Sequence, residues 1–307
     1  LMVLLSVPVF LAFAYAAIMF SYVKAWRAMP EAQLNGYPEA HLSVTVVIAA
    51  RNEAEKITDC LFSIQNGSYP SKLLEIIVVD DFSTDETAKV VHQFMKDWPD
   101  NLRLLQLANL LPPEFHLKAN KKKAIEFAVN QASGTIIVTM DADCIAPKDW
   151  IRWITSRFSA DANLSILAAP VTFHEEENLL QCFQSLDFLG MMGITGAGIQ
   201  LNWHRMGNGA NLAYRKTAFD VVGGYSGNEK VASGDDMFLI QKMEAKWPGS
   251  AGFLKSAEAT VQTYAVAGWQ EFWQQRLRWG TKNAALPEWR IRLILLLVWA
   301  FCSSILL

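Results

Sequence analysis

An α/β fold built on a doubly wound, mostly parallel sheet is what this 307-residue sequence predicts, on three observations. Short apolar runs, rich in β-branched residues and without polar alternation, recur through the first half, as strands buried on both faces do. Stretches with apolar residues at helical spacing lie between them, the order that gives parallel βαβ units. Three of the runs stop abruptly at acids, on the edge where open sheets of this class bind their ligands.

The elements follow in order. Leu1–Val23 carries no charge and is long enough to span a bilayer as a helix. A secretory signal is the competing interpretation, with Ala12-Phe13-Ala14 resembling a cleavage site, but the apolar stretch runs on past it to Val23. Residues 24–42 form a linker with two prolines. Residues 43–50 (SVTVVIAA) are the first strand, ended by Arg51-Asn52-Glu53. Ile57, Cys60, Leu61 and Ile64 set a helix over 54–65, which Gly67 and Pro70 terminate. Residues 74–79 are the second strand, ended by Asp80-Asp81. Ser83-Thr84-Asp85-Glu86 fits a capping box that opens a helix running to about Trp98. A third strand covers 102–107. A helix over 121–131 begins with three lysines, where positive charge opposes the helix dipole; an anionic partner nearby would account for them. Residues 135–140 are the fourth strand, and Asp141 and Asp143 follow.

The second half is less regular. A helix is expected over 150–158 and a strand over 164–171. Residues 178–200 are apolar, with glycines at 190, 193, 196 and 198 that suit close helix packing or a loop beneath a membrane. They are not a dinucleotide fingerprint, because no strand leads into them. A turn at 208–211 precedes a short strand or helix, and Gly223-Gly224 breaks the chain again. Ser233-Gly234-Asp235-Asp236 stands before a helix over 237–246, and such paired acids are commonly dipole-favoured caps. Residues 264–282 combine Trp269, Phe272, Trp273 and Trp279 with Arg276, Arg278 and Lys282, as an amphipathic helix at a membrane interface does. Residues 291–307 are nearly as apolar as the first segment.

Composition bounds the function. The chain is 52% hydrophobic and 19% charged, apolar for a soluble enzyme, and the two terminal segments carry the excess. Lys24 and Arg27 flank the first segment, Arg290 and Arg292 the second, which puts the intervening region in the cytoplasm and makes the protein a multi-pass membrane protein. Four cysteines without metal-type spacing fit a reducing compartment. A net charge of −3 offers nothing for nucleic acid. The sequence opens on Leu and stops inside an apolar run, as a fragment of a longer chain would.

The acids mark the site. Glu53, Asp81 and the pair Asp141/Asp143 each follow a separate strand. Any one alone reads as a solvated loop residue or a helix cap; three parallel strands ending alike on one rim make a site. Two carboxylates one residue apart can share a hard divalent cation, and that cation can hold a diphosphate.

Five motifs in order, AARNE (49–53), VVDDFSTDET (78–87), DADC (141–144), SGDD (233–236) and QRLRW (275–279), resemble the family 2 glycosyltransferases of the GT-A fold. The likeness is to the membrane-embedded branch with the cellulose, chitin and hyaluronan synthases and ceramide glucosyltransferase, and it covers roughly residues 43–282. It implies a GT-A nucleotide-diphospho-sugar transferase domain over 43–262, an interface helix with the QxxRW motif over 263–289, and transmembrane helices at 1–23 and from 290 to 307. It implies that Glu53 and Asp81, with Arg51 beside them, contact the nucleotide-sugar, and that Asp141 and Asp143 hold Mg2+ or Mn2+ on the diphosphate. Lys121 matches the family's lysine on the donor, although Asn120 and Glu126 depart from the residues usual around it. Asp236 matches the catalytic base. Asp235, standing where the family has Glu, joins Gln275, Arg278 and Trp279 in binding diphosphate and acceptor. The activity implied is inverting transfer of a sugar from a UDP-sugar to a lipid or growing polysaccharide at the cytoplasmic membrane face. The alternatives are a non-catalytic nucleotide-binding membrane scaffold, which should have lost acids, and a single-transfer enzyme with a soluble acceptor. A phosphoryl-transferring enzyme or a nicotinamide dehydrogenase would want a glycine-rich phosphate loop, absent at the first strand.

Overall fold

A computed structural model of the chain describes residues 2–32, 40–111, 121–227, 235–284 and 289–305, with the side chains of residues 2–6, 235 and 281–284 left aside. Ser233, Gly234, Asn120 and the side chains of Asp235 and Lys282 therefore lie outside what is described. The elements are α1 (Met2–Ala28), β1 (Val44–Ala50), α2 (Ile57–Gln65), β2 (Leu74–Asp80), α3 (Thr87–Asp97), β3 (Leu102–Gln106), α4 (Leu107–Leu110), α5 (Lys121–Gln131), β4 (Ile136–Asp141) and α6 (Trp150–Ala160). There follow β5 (Ile166–Ala168), β6 (Val171–His174), α7 (Leu179–Gln200), β7 (Leu212–Arg215), α8 (Lys216–Val221), α9 (Asp235–Lys246), β8 (Ala251–Phe253), β9 (Val261–Tyr264), α10 (Trp269–Ala284) and α11 (Trp289–Ile305).

The main sheet has seven strands in the order β3-β2-β1-β4-β7-β5-β8. β1 to β4 are parallel, and β7 runs antiparallel to both β4 and β5. Alternate residues along β1, β2 and β4 enter two separate cores. Val46, Ile48, Ile76, Val78, Val138 and Met140 pack with α2 and α6. Val47, Ile77, Val79 and Ile137 pack with α5, α8 and α9. A strand buried on both faces must be apolar at every position, which is why these strands read as unbroken hydrophobic runs. Gly134 leads into β4 so close to β1 that a Cβ there would stand 2.4 Å from the Thr45 nitrogen.

At the amino edge of the sheet Glu75 gathers the Thr45 hydroxyl (2.6 Å), the Ser133 N–H (2.8 Å) and hydroxyl (2.9 Å), and Arg103 Nη1 (2.9 Å). Burial alone would raise its pKa, and these donors together hold it below the usual carboxylate range.

Three expectations need correction. The stretch 164–171 is two strands rather than one: β5 lies in the main sheet, and after Pro170, which has no N–H to donate, β6 leaves to pair with β9 in a second, two-stranded sheet. Tyr264 belongs to β9, and the aromatic helix begins at Trp269. Residues 179–200 form one continuous helix, capped by the Asn178 side chain, not a loop. Two of its glycines serve packing: Gly196 faces the rings of Trp26 and Phe253, and Gly198 faces the His204 ring, while Gly190 and Gly193 face open space.

Among the described residues one helix is long and apolar enough to cross a membrane, over Val7–Ala28; α11 has 17 residues. The second span expected from the sequence thus has no helix of that length behind it. The inner end of α1 is tied to the domain. Tyr22 Oη bonds His204 Nε2 (2.8 Å), Trp26 meets Phe253 edge-on, and Lys255 Nζ donates to the last carbonyls of the helix, Trp26 O (3.1 Å) and Met29 O (3.2 Å). A cation there also complements the helix dipole. Burial, with Arg205 adding, lowers the His204 pKa to about 4 and keeps the imidazole neutral. Further out, Tyr15 of α1 stacks on Phe301 of α11 at 5.0 Å, so the two helices run side by side.

Candidate active site

Register sets the rim. Ala50 lies opposite Asp80 and Ala49 opposite Asp141, so β1, β2 and β4 finish level and Glu53, Asp81, Asp141 and Asp143 emerge on one edge.

The two loops beyond β1 and β2 are stitched together. Asn52 takes the left-handed conformation (φ 57°), which Asn tolerates better than most residues. Its N–H donates to Ser83 Oγ (3.0 Å), and its Oδ1 accepts from the Thr84 N–H (2.8 Å). The Glu53 N–H donates to Thr87 Oγ1 (2.9 Å) and the Ala54 N–H to Asp85 Oδ2 (3.1 Å). The capping box expected from Ser83 does not form, because Ser83 is engaged across the loops. The helix starts at Thr87, and Asp85 Oδ1 accepts from the Thr87 N–H (3.0 Å) and hydroxyl (2.5 Å) in its place. Sequence reasoning missed Asn52, Asp85 and Thr87, although the run DFSTDET held the signal: an excess of side-chain acceptors with too few local donors.

Asp141 and Asp143 flank a turn closed by the Cys144 N–H on the Asp141 carbonyl (3.1 Å). Burial, then the Asp143 carboxylate, with Asp141 and Asp85 adding and Lys56 opposing, raises the Glu53 pKa. Three carboxylates from two strand ends therefore share one field. Buried beneath them are Cys60 and Cys144, whose thiols burial and the same two aspartates push up, so they stay protonated.

Asp236 reaches this field from the far half of the chain. Its Oδ2 accepts the Gly209 N–H (3.1 Å), its Oδ1 the Met237 N–H (2.9 Å), and the Gly209 carbonyl accepts the hydroxyl of Thr139, two residues before Asp141 (2.8 Å). Lys121 Nζ pairs with Asp141 Oδ1. Burial would lower its pKa, but Asp141 and then Asp236 outweigh this and hold it above the usual lysine value. The anionic partner anticipated for the lysine-rich helix start is thus, for Lys121, the Asp141 carboxylate. Arg51 is exposed, Asp81 buried.

The QxxRW residues lie elsewhere. Trp279 tilts against Phe188 of α7 (5.9 Å). Arg276, expected on the basic outer side, turns inward instead: it pairs with Asp187 of α7 (2.5 Å) between the rings of Phe272 (4.9 Å) and Trp279 (4.7 Å). Flat aromatic faces suit a guanidinium removed from water. Gln275 is half-buried and Arg278 exposed. The contacts described for Trp279 and Arg276 are to α7, not to the acidic rim. The connection runs through β9, five residues upstream of α10: Ile145 pairs with Gln262, and Tyr264 lies under Lys56 Nζ (5.2 Å) and within the field of Asp143.

Asp141 and Asp143 supply hard oxygen donors. Among the described residues no three His, Cys, Asp or Glu side chains form a complete cage. A carboxylate pair beside open space suits Mg2+ or Mn2+ completed by water and phosphate oxygens, and the raised Glu53 marks negative charge such a cation would relieve.

Residues 45–223 match the model of glycosyl transferase family 2. The probable glycosyltransferase YdaM of Bacillus subtilis is 24% identical over 243 residues, 78% of this chain and 55% of that protein. The beta-monoglucosyldiacylglycerol synthase of Synechocystis is 26% identical over 262 residues, 83% of this chain and 50% of that protein. The chain spans about half the length of the curated relatives it matches. Among solved structures, the mannosyltransferase of Pyrobaculum calidifontis in complex with GDP-Man and Mn2+ superposes with a TM-score of 0.66 at 20% identity, over 98% of this chain and 85% of that one. S. aureus TarS in complex with UDP-GlcNAc gives 0.54 at 18% identity, over 86% and 72%. At these identities the likeness is one of fold.

Proposed function

The chain belongs to glycosyl transferase family 2, and we propose that it transfers a sugar, with inversion, from a nucleotide-diphosphate sugar to a lipid or growing polysaccharide at the cytoplasmic face of a membrane. A UDP-sugar is the first donor to test. The observation that carries this reading is the convergence of Asp141, Lys121 and Asp236, from three distant segments, on one group of charges.

The chemistry divides among the residues. Glu53, Asp81 and Arg51 line the strand edge where the nucleoside would lie. Asp141 and Asp143 would hold a divalent cation, which when bound supplies positive charge to the leaving diphosphate. Lys121 reaches the same place from the opposite side. An acceptor hydroxyl is a poor nucleophile until a carboxylate takes its proton. Asp236 is held by two N–H donors that favour its charged form, so it is oriented and ionised for that task. Attack on the side of the sugar away from the diphosphate gives one displacement and inversion. Asp235, Gln275, Arg278 and Trp279 are assigned to diphosphate and acceptor on the same grounds of motif.

Apolar exposure supports a membrane setting. Leu179, Phe183, Leu186 and Leu189 stand exposed along one side of α7, and Trp269, Trp273 and Leu277 along one side of α10. The helices meet through Phe183 and Phe272 (6.1 Å), so the stripes adjoin. Contiguous exposed apolar surface of this kind is uncommon on a soluble monomer. With α1 beside it, this gives an anchor over 1–23, a linker over 24–42, a transferase domain over 43–262, an interface helix over 263–289 and a further membrane segment over 290–307. Relatives named for glucosyldiacylglycerol and for poly-β-1,6-N-acetyl-D-glucosamine synthesis support a lipid or polysaccharide acceptor.

The test is incubation of the full chain with radiolabelled UDP-glucose or UDP-N-acetylglucosamine, with and without Mn2+, in native lipid, followed by partition of products. Label in the lipid phase or in polymer supports the reading. Transfer only to small water-soluble acceptors would refute the acceptor assignment.

A further inference from the structure

Lys121 occupies an unusual position. It opens α5, where the helix dipole disfavours a cation, and its ammonium lies against the Asp141 carboxylate. The same ammonium is 3.8 Å from where a Cβ on Gly209 would stand, on the turn whose N–H grips Asp236. Asp141 is thereby neutralised from within the chain while Asp143 and Glu53 remain crowded. An ammonium in contact with Asp141 and a divalent cation on the same carboxylate would repel each other at short range, by about 2 kcal/mol at 4 Å even in bulk water.

We infer that Lys121 is the resting counter-ion of Asp141, which it must release before a divalent cation can bind, passing to the incoming diphosphate as it does so. This rests on the reading of the site given above. It makes cation and nucleoside diphosphate mutually dependent: each removes an obstacle to the other, so their binding is cooperative in both directions. The cation alone binds poorly, and the diphosphate, by drawing Lys121 away, completes the cation site. Lys121 then acts as an interlock that keeps Asp141 from loading a metal without donor.

The test is Mn2+ binding by the full chain in detergent, followed through the electron paramagnetic resonance signal of free Mn2+, with and without UDP or GDP. Lys121→Gln should bind Mn2+ alone roughly three- to thirty-fold tighter than wild type, the range spanned by a half-exposed ion pair and an unscreened repulsion. Adding nucleotide should tighten Mn2+ less in Lys121→Gln than in wild type. Lys121→Arg keeps the charge and should behave as wild type, and the gain should vanish in Lys121→Gln/Asp141→Asn. The inference is overturned if Lys121→Gln, folded by circular dichroism, binds Mn2+ alone no tighter than wild type. It is also overturned if Lys121→Arg shows the gain, or if the gain survives loss of the Asp141 carboxylate. Where wild type binds Mn2+ with nucleotide but Lys121→Gln gains nothing, the donor-site reading stands and only the interlock falls. If no protein binds Mn2+ with either nucleotide, the metal reading falls and the interlock with it.

Discussion

Replacing Asp236 by Asn separates two effects of different size. The carboxylate accepts two backbone N–H groups, from Gly209 (3.1 Å) and Met237 (2.9 Å), one on each oxygen. Asn keeps one oxygen and turns the other into a donor, so one N–H loses its partner. The side chain is half-buried and water can replace the missing acceptor, which puts the stability loss near the low end for such deletions, about 1 kcal/mol. In a domain of this size that lowers the unfolding midpoint by about 2–4 °C. Removal of a general base costs about 10²–10⁴ in rate, equivalent to roughly 3–5 kcal/mol in the barrier. Catalysis should therefore collapse in a protein that stays folded and binds donor normally. The assay pairs initial transfer rates at saturating donor with calorimetry of nucleotide binding and a thermal melt. Transfer within about fivefold of wild type would refute the base assignment, since even the lower bound for general-base catalysis is larger. Loss of donor binding in step with the rate would instead make Asp236 a donor-site residue.

The remaining predictions concern the metal pair and the scaffold beneath it. Asp143→Ala should abolish metal-dependent binding of the nucleoside diphosphate; an unchanged isotherm would rule out a metal role for that carboxylate. Glu75→Gln should destabilise the domain by about 1.5–3 kcal/mol, the value of hydrogen bonds to a charged acceptor, without changing donor affinity. Because the Glu75 pKa is lowered on folding, its contribution is complete above the ordinary Glu value and fades as pH falls through the lowered one. The variant should lose that part of the acid-side slope in a pH series of unfolding midpoints, and an unchanged slope would sink the argument. Gly134→Ala drives a Cβ to 2.4 Å from the Thr45 nitrogen, a clash with backbone that no rotamer relieves, and should lower stability by roughly 1–3 kcal/mol; a melt matching wild type would show that β1 and β4 can part there.

The first half of the fold was legible in the sequence because its strands are buried on both faces. An unbroken apolar run such as 136–140 admits few other readings, and its abrupt end at Asp141 located the rim as well. Beyond Pro147 that signal weakens. β5, β8 and β9 are three or four residues long, too short for any period to emerge, and their placement depends on pairing across more than eighty residues, as between β5 and β8. The stretch 164–171 read as one strand because β-propensity is blind to which sheet a residue joins. The acids of the site were visible as punctuation after strands. Their support was not: Asn52, Asp85 and Thr87 act across two loops, and nothing local in AARNE announces a partner thirty residues away. Arg276 was misplaced for a related reason, since a basic residue on an aromatic helix looks solvent-facing until its carboxylate, Asp187, appears on another helix.

Direction of a single strand explains how the base reaches the donor side. β7 pairs with β4 in antiparallel register, Leu212 opposite Thr139 and Arg215 opposite Ile136. Its amino end therefore lies at the carboxyl edge of β4, and the turn 208–211 that precedes it sits on the acidic rim. Gly209 in that turn bonds Thr139 on one side and Asp236 on the other. Had β7 run parallel to its neighbour, the same turn would stand at the opposite edge, beside Glu75, and α9 would have had no backbone donor with which to hold Asp236 near Asp141. The reversal that breaks the parallel pattern of the sheet is thus the feature that lets one edge carry both groups, the acids suited to the leaving diphosphate and the carboxylate suited to the attacking hydroxyl.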